Sequence, residues 1–341
     1  MGGNALKNTF TKRYNQKEFE SLAQELIPII SDTFKTKANL VKSFTEKESF
    51  GDMDVLLLNL QKNPENSRII RNMREVIQKT FNPNEIVHNG SCWSFDYKNL
   101  QIDLILVPYA DWITSNVFYA YNDLGNLMGK MYHKFNLKYG FDGLKYVYRK
   151  NDRKLDTFTI SKDPRKIFDF LCLDYDRFLK GFDTIQDVFD YVIGSNFFDS
   201  TAFKFENLNA INKRRNKRRV NYNAFIEYCE ETNKTFDYNP NKDTYLPIID
   251  AFFPEANLRS KMIKAEREFE RKKRLKEHFN GKMIMQEFPE LRGQKLGSCI
   301  ENFKNKIEKK LPFEEYLEKQ ISTNNSPVIM KDFRNFYQNE F

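Results

Sequence analysis

Three aspartates carry the chemistry that this sequence could perform. Asp52 and Asp54 stand two residues apart in Gly51-Asp52-Met53-Asp54-Val55-Leu56-Leu57-Leu58, at the mouth of an apolar run. Such a run predicts a buried β-strand. In a strand, residues two apart share a face, so both carboxylates point one way and Met53 the other. Asp103 lies inside a second apolar run, Leu100-Gln101-Ile102-Asp103-Leu104-Ile105-Leu106-Val107-Pro108. An ionised carboxylate in such a strand is costly to bury unless its charge is compensated. Three carboxylates drawn together by neighbouring strands also repel one another, and divalent cations relieve both costs. The constellation fits a nucleotidyl-transfer metal site, with Mg²⁺ held by carboxylates and substrate phosphates. Single residues admit simpler readings: a Gly-Asp pair before a strand often makes only a turn, and Asp54 could be an exposed strand residue. Asp103, among Ile102, Leu104, Ile105 and Leu106, is harder to read that way.

The surrounding segments must place these strands side by side. Phe19, Leu22, Leu26, Ile29 and Ile30 recur at helical spacing and predict a helix over residues 16 to 33. Residues 38 to 44 read as a strand leading to the loop before Asp52, and residues 65 to 81 as a helix. Short strands follow around 86 to 88, 92 to 97 and 100 to 107. Residues 111 to 135 read as two helices, and 143 to 148 with 155 to 160 as a strand pair. This layout predicts an α+β protein built on a small mixed sheet with helices on one face. From Asp163-Pro164, a good helix start, the pattern turns helical, with another start at Asp183-Thr184 and a long charged helix over 260 to 278. Residues 233 to 245 are the most loop-like interior stretch, and the last twenty or so are expected to be poorly ordered. The expected regions are a mixed-sheet region over 1–110, a region over 111–180 that the resemblance described below makes thumb-like and nucleotide-contacting, and a helical, basic region over 181–341.

The chain has 341 residues and a net charge of +8, from 55 Lys and Arg against 47 Asp and Glu. The placement of that modest excess matters more than its size. Lys213-Arg214-Arg215-Asn216-Lys217-Arg218-Arg219 is the sharpest charge cluster. It reads as a surface that pairs with nucleic-acid phosphates, or more simply as a solvated face or localisation signal. Cys92, Cys172, Cys229 and Cys299 are far apart and form neither a zinc pattern nor a disulfide framework. No signal peptide and no membrane-length apolar run is present. The expectation is a monomer of a reducing compartment, cytoplasmic or nuclear, without a membrane partner.

Residues 41 to 180 resemble the palm and thumb of the DNA polymerase beta family of nucleotidyltransferases. Ser43-Phe44 precedes Gly51-Asp52-Met53-Asp54-Val55 at nearly the family spacing. Ile102-Asp103 and Leu106-Val107-Pro108 look like its third-carboxylate strand. Val117-Phe118-Tyr119 resembles its nucleotide-contacting aromatic step. Tyr139-Gly140-Phe141, the strand from Leu144 to Tyr148 and Lys166-Ile167-Phe168-Asp169-Phe170 look like its thumb. The departures are specific. Lys42-Ser43 replaces the usual Gly-Ser, the following loop is shorter and lacks an arginine-glycine pair, and Gln101 stands where the polymerases often carry arginine. With 51 residues before Asp52, the usual N-terminal DNA-binding and lyase domains are not expected. A weaker similarity links Gly281-Lys282-Met283-Ile284-Met285 and Gly293-Gln294-Lys295-Leu296-Gly297 to a helical segment of tRNA nucleotidyltransferases. There Gly293 and Gly297 could expose backbone N–H groups to a phosphate, with Lys295 adding charge; an ordinary helical corner is the simpler reading.

The resemblance implies two Mg²⁺ or Mn²⁺ ions held by Asp52, Asp54 and Asp103. It also implies a nucleoside triphosphate held by Ser43, with Lys42 or Lys47 supplying charge. Tyr119, Asp123, Asn126 and Lys130 would meet its sugar, its base and the template. The implied activity is nucleotide addition to a DNA or RNA 3′-hydroxyl. An RNA 3′-end-adding enzyme of the tRNA nucleotidyltransferase type, a non-catalytic nucleic-acid-binding protein, and nucleotide transfer to a protein or small molecule are the alternatives.

Overall fold

The two acidic runs form adjacent, parallel strands of one five-stranded sheet. The computed structural model describes residues 3–60, 62–217, 219–232 and 234–340. A two-residue strand, β1 (Tyr14–Asn15), leads into helix α1 (Gln16–Phe34). Asn15 and Glu18 cap that helix reciprocally: the Glu18 N–H donates to Asn15 Oδ1 and the Asn15 N–H to Glu18 Oε2, each at 2.9 Å. Then come β2 (Ala38–Leu40), β3 (Ser49–Phe50), β4 (Asp52–Asn59), α2 (Pro64–Arg71), α3 (Met73–Phe81), β5 (Ile86–Asn89), β6 (Cys92–Tyr97) and β7 (Leu100–Pro108). The strand expected over 38 to 44 ends at Leu40. The helix expected over 65 to 81 is two helices, because Asn72 leaves helical geometry at φ −105° and ψ 27°.

The sheet order is β2-β4-β7-β6-β5, with β4 and β7 parallel and the other neighbours antiparallel. Strand alternation decides what each face does. Met53, Val55 and Leu57 of β4, with Ile102 and Leu104 of β7, pack into a core with Phe19, Leu22, Leu26, Ile30, Met73, Ile77 and Phe81 of the helices. Fully burying one such side chain contributes about 1.5–3 kcal/mol, so this face fixes the register of both strands. The opposite face carries Asp52, Asp54 and Leu56 beside Gln101, Asp103 and Ile105. In that register Asp54 lies opposite Asp103, and Asp52 opposite Gln101.

The chain continues through α4 (Trp112–Tyr119), α5 (Leu124–Lys134) and a three-stranded sheet of β8 (Leu137–Gly140), β9 (Gly143–Lys150) and β10 (Arg153–Ser161). Helices α6 (Pro164–Phe170), α7 (Tyr175–Lys180), α8 (Ile185–Ile193), α9 (Ala210–Asn216), α10 (Val220–Glu230) and α11 (Leu246–Phe252) follow. Residues 234–241 carry neither helix nor strand. The last helices are α12 (Leu258–His278), α13 (Gly281–Glu287), α14 (Gly293–Glu308), α15 (Phe313–Ser322) and α16 (Pro327–Glu340). The expected disorder of the final residues gives way to α16, whose Ile329, Phe333 and Phe336 are buried with Phe279 and Phe303.

The chain divides into two compact units. One comprises residues 1–148 and 157–258; the other comprises the hairpin tip 149–156 and residues 259–341. This division falls after Leu258, whereas the sequence boundaries were drawn at 110 and 180. Helices α6 to α11 thus belong with the acidic sheet, and the second unit is a helical bundle with its own core. Among the described residues, no helix is long and apolar enough to cross a membrane.

Candidate metal centre and its cleft

Asp52, Asp54 and Asp103 each offer a carboxylate oxygen, and these oxygens all lie within 4.8 Å of one another. Adjacent parallel strands in register place them there. The electrostatic consequence is large. Burial, reinforced by the charges of Asp52 and Asp103, pushes the Asp54 carboxyl up to about 8. Burial pushes Asp103 up to about 6 against the opposing hydrogen bond from Ser94. Gln101 Nε2 donates to both Asp103 oxygens at 3.0 Å. Tyr119, at the end of α4, is pushed up to about 12 by burial and then by the Asp54 charge. Of the two lysines considered for compensating charge, Lys42 is exposed. Lys47 is the one that meets Asp52 and Asp54, and burial lowers its pKa despite their attraction.

The carboxylates open onto a cleft of about 770 Å³, lined on its far side by Asn122, Asp123, Thr184, Ile185, Gln186, Arg219, Val220 and Asn221. Two consecutive non-glycine residues, Tyr121 (φ +56°) and Asn122 (φ +59°), take left-handed backbone in the turn between α4 and α5. Each costs about 1 kcal/mol or more. Packing holds them there: the Tyr121 ring meets Phe178 and Phe182 edge-on, and its N–H donates to the Lys42 carbonyl at 2.8 Å. The tight turn also needs Gly125, where a Cβ would come 2.4 Å from the Phe118 carbonyl oxygen. The turn delivers Asn122 and Asp123 to the cleft.

Asp123 pairs there with Arg219. Arg219 is the last residue of the basic run and precedes α10, whose first turn has no side-chain cap. The starts of α8 and α10 both line the cleft, and helix N-termini favour anions. The loop between Ser43 and Ser49 is pinned to the start of α8 by Thr45 N–H to the Phe182 carbonyl (3.0 Å) and Glu46 N–H to that of Asp183 (2.8 Å). Arg215 and Lys130 lie near one another, and each has its pKa lowered, chiefly by burial. Ser43 Oγ and Asn126 Nδ2 are buried without a hydrogen-bond partner. Buried polar atoms normally find one, and neither residue is among those lining the cleft.

The structure therefore brings Asp52, Asp54, Lys47, Asp123 and Arg219 to one cleft, with Asp103 beside the first two and Tyr119 near Asp54. It does not bring the whole basic run there: Lys213, Arg214 and Lys217 are exposed, and Arg218 lies outside the described residues. Gly293, Lys295 and Gly297 belong to α14 of the second unit. Gly293 opens that helix. Gly297 sits inside it rather than in a turn before it, so its N–H serves the helical ladder. Sequence reasoning missed Arg13, Asn122 and the start of α8, none of which carries a local signal for the site. The sequence matches no protein-family model, and no curated protein is significantly similar to it.

Proposed function

We propose that the protein is a divalent-metal-dependent nucleotidyltransferase that adds nucleotides from nucleoside triphosphates to the 3′-hydroxyl of DNA or RNA. The observation that carries this reading is the gathering of three partly buried carboxylates within 4.8 Å at the mouth of a cleft that also holds Lys47 and Arg219. An all-oxygen, all-anionic donor set suits Mg²⁺ or Mn²⁺, and the raised Asp54 and Asp103 mark a site whose charge Lys47 offsets only in part.

Asp52, Asp54 and Asp103 would hold one or two ions. When bound, these would neutralise the carboxylates, bridge to substrate phosphates and lower the pKa of an attacking hydroxyl. The chain's own groups do the rest. Lys47 and Arg219, with the uncapped first turn of α10, attract the triphosphate. Ser43 Oγ offers its unused donor to a phosphate oxygen. Tyr119 walls the cavity beside Asp54 and keeps water from that side. Asp123 reaches the sugar or base, and Asn126 Nδ2 has a free N–H for a base edge. Asp103 is placed to take the proton of the attacking hydroxyl. The exposed Lys213, Arg214 and Lys217 are available to a nucleic-acid backbone.

Labelled primer, primer–template duplex and tRNA transcript, each supplied with NTPs or dNTPs and Mg²⁺ or Mn²⁺, test this reading. Extension of at least one with pyrophosphate release is expected, and it should vanish in EDTA. Extension of the duplex alone indicates templated synthesis, and extension of the transcript alone an RNA-end enzyme. Absence of extension and pyrophosphate in every mixture would reject the proposal.

A further inference from the structure

Residues 3–8 precede every regular element, yet their backbone is tied first to the acidic strands and then to Glu85, just before β5. The Gly3 N–H donates to Asp52 Oδ2 at 2.8 Å. The Ala5 and Leu6 N–H groups donate to Gln101 Oε1 at 2.9 and 3.3 Å. The same Gln101 amide donates through Nε2 to both oxygens of Asp103 at 3.0 Å. The Lys7 and Asn8 N–H groups then donate to Glu85 Oε2 at 3.0 and 2.8 Å. Leu6 is 7% exposed and Gln101 is 1% exposed, so both are seated rather than resting on the surface. Gly3 has φ +83°, and a Cβ on it would lie 2.2 Å from the Gly51 carbonyl oxygen. Only glycine fits this approach to the residue before Asp52.

We infer that the segment Gly3–Asn8 is a working part of the metal centre: it positions Asp52 directly and Asp103 through Gln101. The inference rests on reading the three carboxylates as metal ligands. Repelling carboxylates splay unless something holds them. One N–H on one Asp52 oxygen leaves the other oxygen, and further lone pairs, open to a cation. On Asp103 the neutral Gln101 amide fixes orientation without adding the charge that an arginine would bring. It can do so only because its own oxygen is held by two backbone donors. Gln101 is thus a positioning residue, and its orientation is set by a strap contributed largely by backbone. Loss of hydrogen-bond partners behind metal ligands lowers metal affinity by about 10- to 100-fold.

The test uses the full chain and Mn²⁺ alone, with affinity read by calorimetry and by Mn²⁺ electron paramagnetic resonance. Gly3→Val forces the strap away from Gly51 without touching a carboxylate. It should weaken Mn²⁺ binding about ten-fold while a single cooperative melting transition persists in EDTA, which shows that the acidic sheet still folds. Gln101→Leu removes both halves of the relay and should weaken binding at least as much. Because Gln101 is buried, that variant could misfold, and Gly3→Val keeps the question open to a result. Wild-type or tighter Mn²⁺ binding by Gly3→Val would overturn the inference, since the strap would then be a cover or a competitor. A wild-type chain that binds no Mn²⁺ would instead overturn the metal reading itself.

Discussion

The two compact units differ most in how they handle charge. The unit built on the acidic sheet has as many acidic as basic residues, whereas residues 149–156 and 259–341 hold the entire net excess of +8. The first unit gathers three carboxylates at one point with partial local compensation: Lys47 near the carboxylates, Arg219 on Asp123, and the Gly3 backbone N–H on Asp52. The second unit has no carboxylate cluster within metal-binding range among its described residues. It spreads cations along α12, where Lys264, Arg267, Lys273 and Arg274 are exposed. On the proposed reading, a short-range site for small ions and a long-range field for a polyanion need different layouts, with the first in the sheet unit and much of the second in the helical bundle.

The sharpest way to break this contrast is at the carboxylates. Asp54→Ala or Asp103→Ala should lower nucleotide incorporation by about 10³-fold or more, since metal-borne charge stabilisation is worth several kcal/mol. The melting temperature in EDTA should not fall, because removing one of three mutually repelling buried charges relieves the fold. Activity within a few-fold of wild type would remove the chemistry from the first unit. A smaller effect is expected on the cations. Replacing Lys264, Arg267, Lys273 and Arg274 with Ala should weaken nucleic-acid binding by about 10- to 100-fold. It should also flatten the slope of log affinity against log salt by about one per lost phosphate contact, with Mn²⁺ affinity unchanged. Replacing Lys213, Arg214 and Lys217 instead should change the slope less. If only this second set moves the slope, the division of labour between the units is wrong.

The smallest effect concerns pH. A carboxyl whose folded pKa is raised from 3.8 to about 8, as for Asp54, holds its proton more tightly in the folded state. Its penalty is therefore absent below the unfolded pKa, grows as pH rises, and is complete above the folded pKa. In EDTA, Asp54→Asn should raise the melting temperature at pH 8 and leave it nearly unchanged at pH 4. Differential scanning calorimetry at the two values decides it. An equal shift at both pH values would mean that relief of this charge is not the cause.

The acidic strands were legible because apolar runs impose both a strand and its alternation, and that alternation states which residues share a face. The two helices after Pro108 and the strand pair after Gly143 were legible for similar reasons. The meeting of Asp123 with Arg219 was not. Those residues are 96 positions apart, and their encounter depends on a strained turn at Tyr121-Asn122 and on where α10 begins. The choice between Lys42 and Lys47 was equally closed to the sequence, since a loop's spacing does not say which lysine folds back. The strap at Gly3–Asn8 leaves little trace because its bonds come from backbone N–H groups, which every residue but proline has. Helix α16 was missed although Ile329, Phe333 and Phe336 recur at helical spacing, because their burial depends on the distant Phe279 and Phe303. The boundary after Leu258 was missed because the hairpin tip joins the second unit from a distant part of the chain.

The pairing of Asp54 with Asp103 makes the site a matter of parity. Every carboxylate occupies the same odd-or-even class of its strand as Leu56 or Ile105, and the helix-facing core occupies the other class. The cluster therefore cannot be tuned by sliding a strand a little. One inserted residue between Asp54 and Val55 would preserve composition and charge, yet drive either the acids or the core residues onto the wrong side of the sheet. Two inserted residues would restore the sides but move the acids one repeat out of line with Asp103. Length changes within these strands are thus filtered in whole steps.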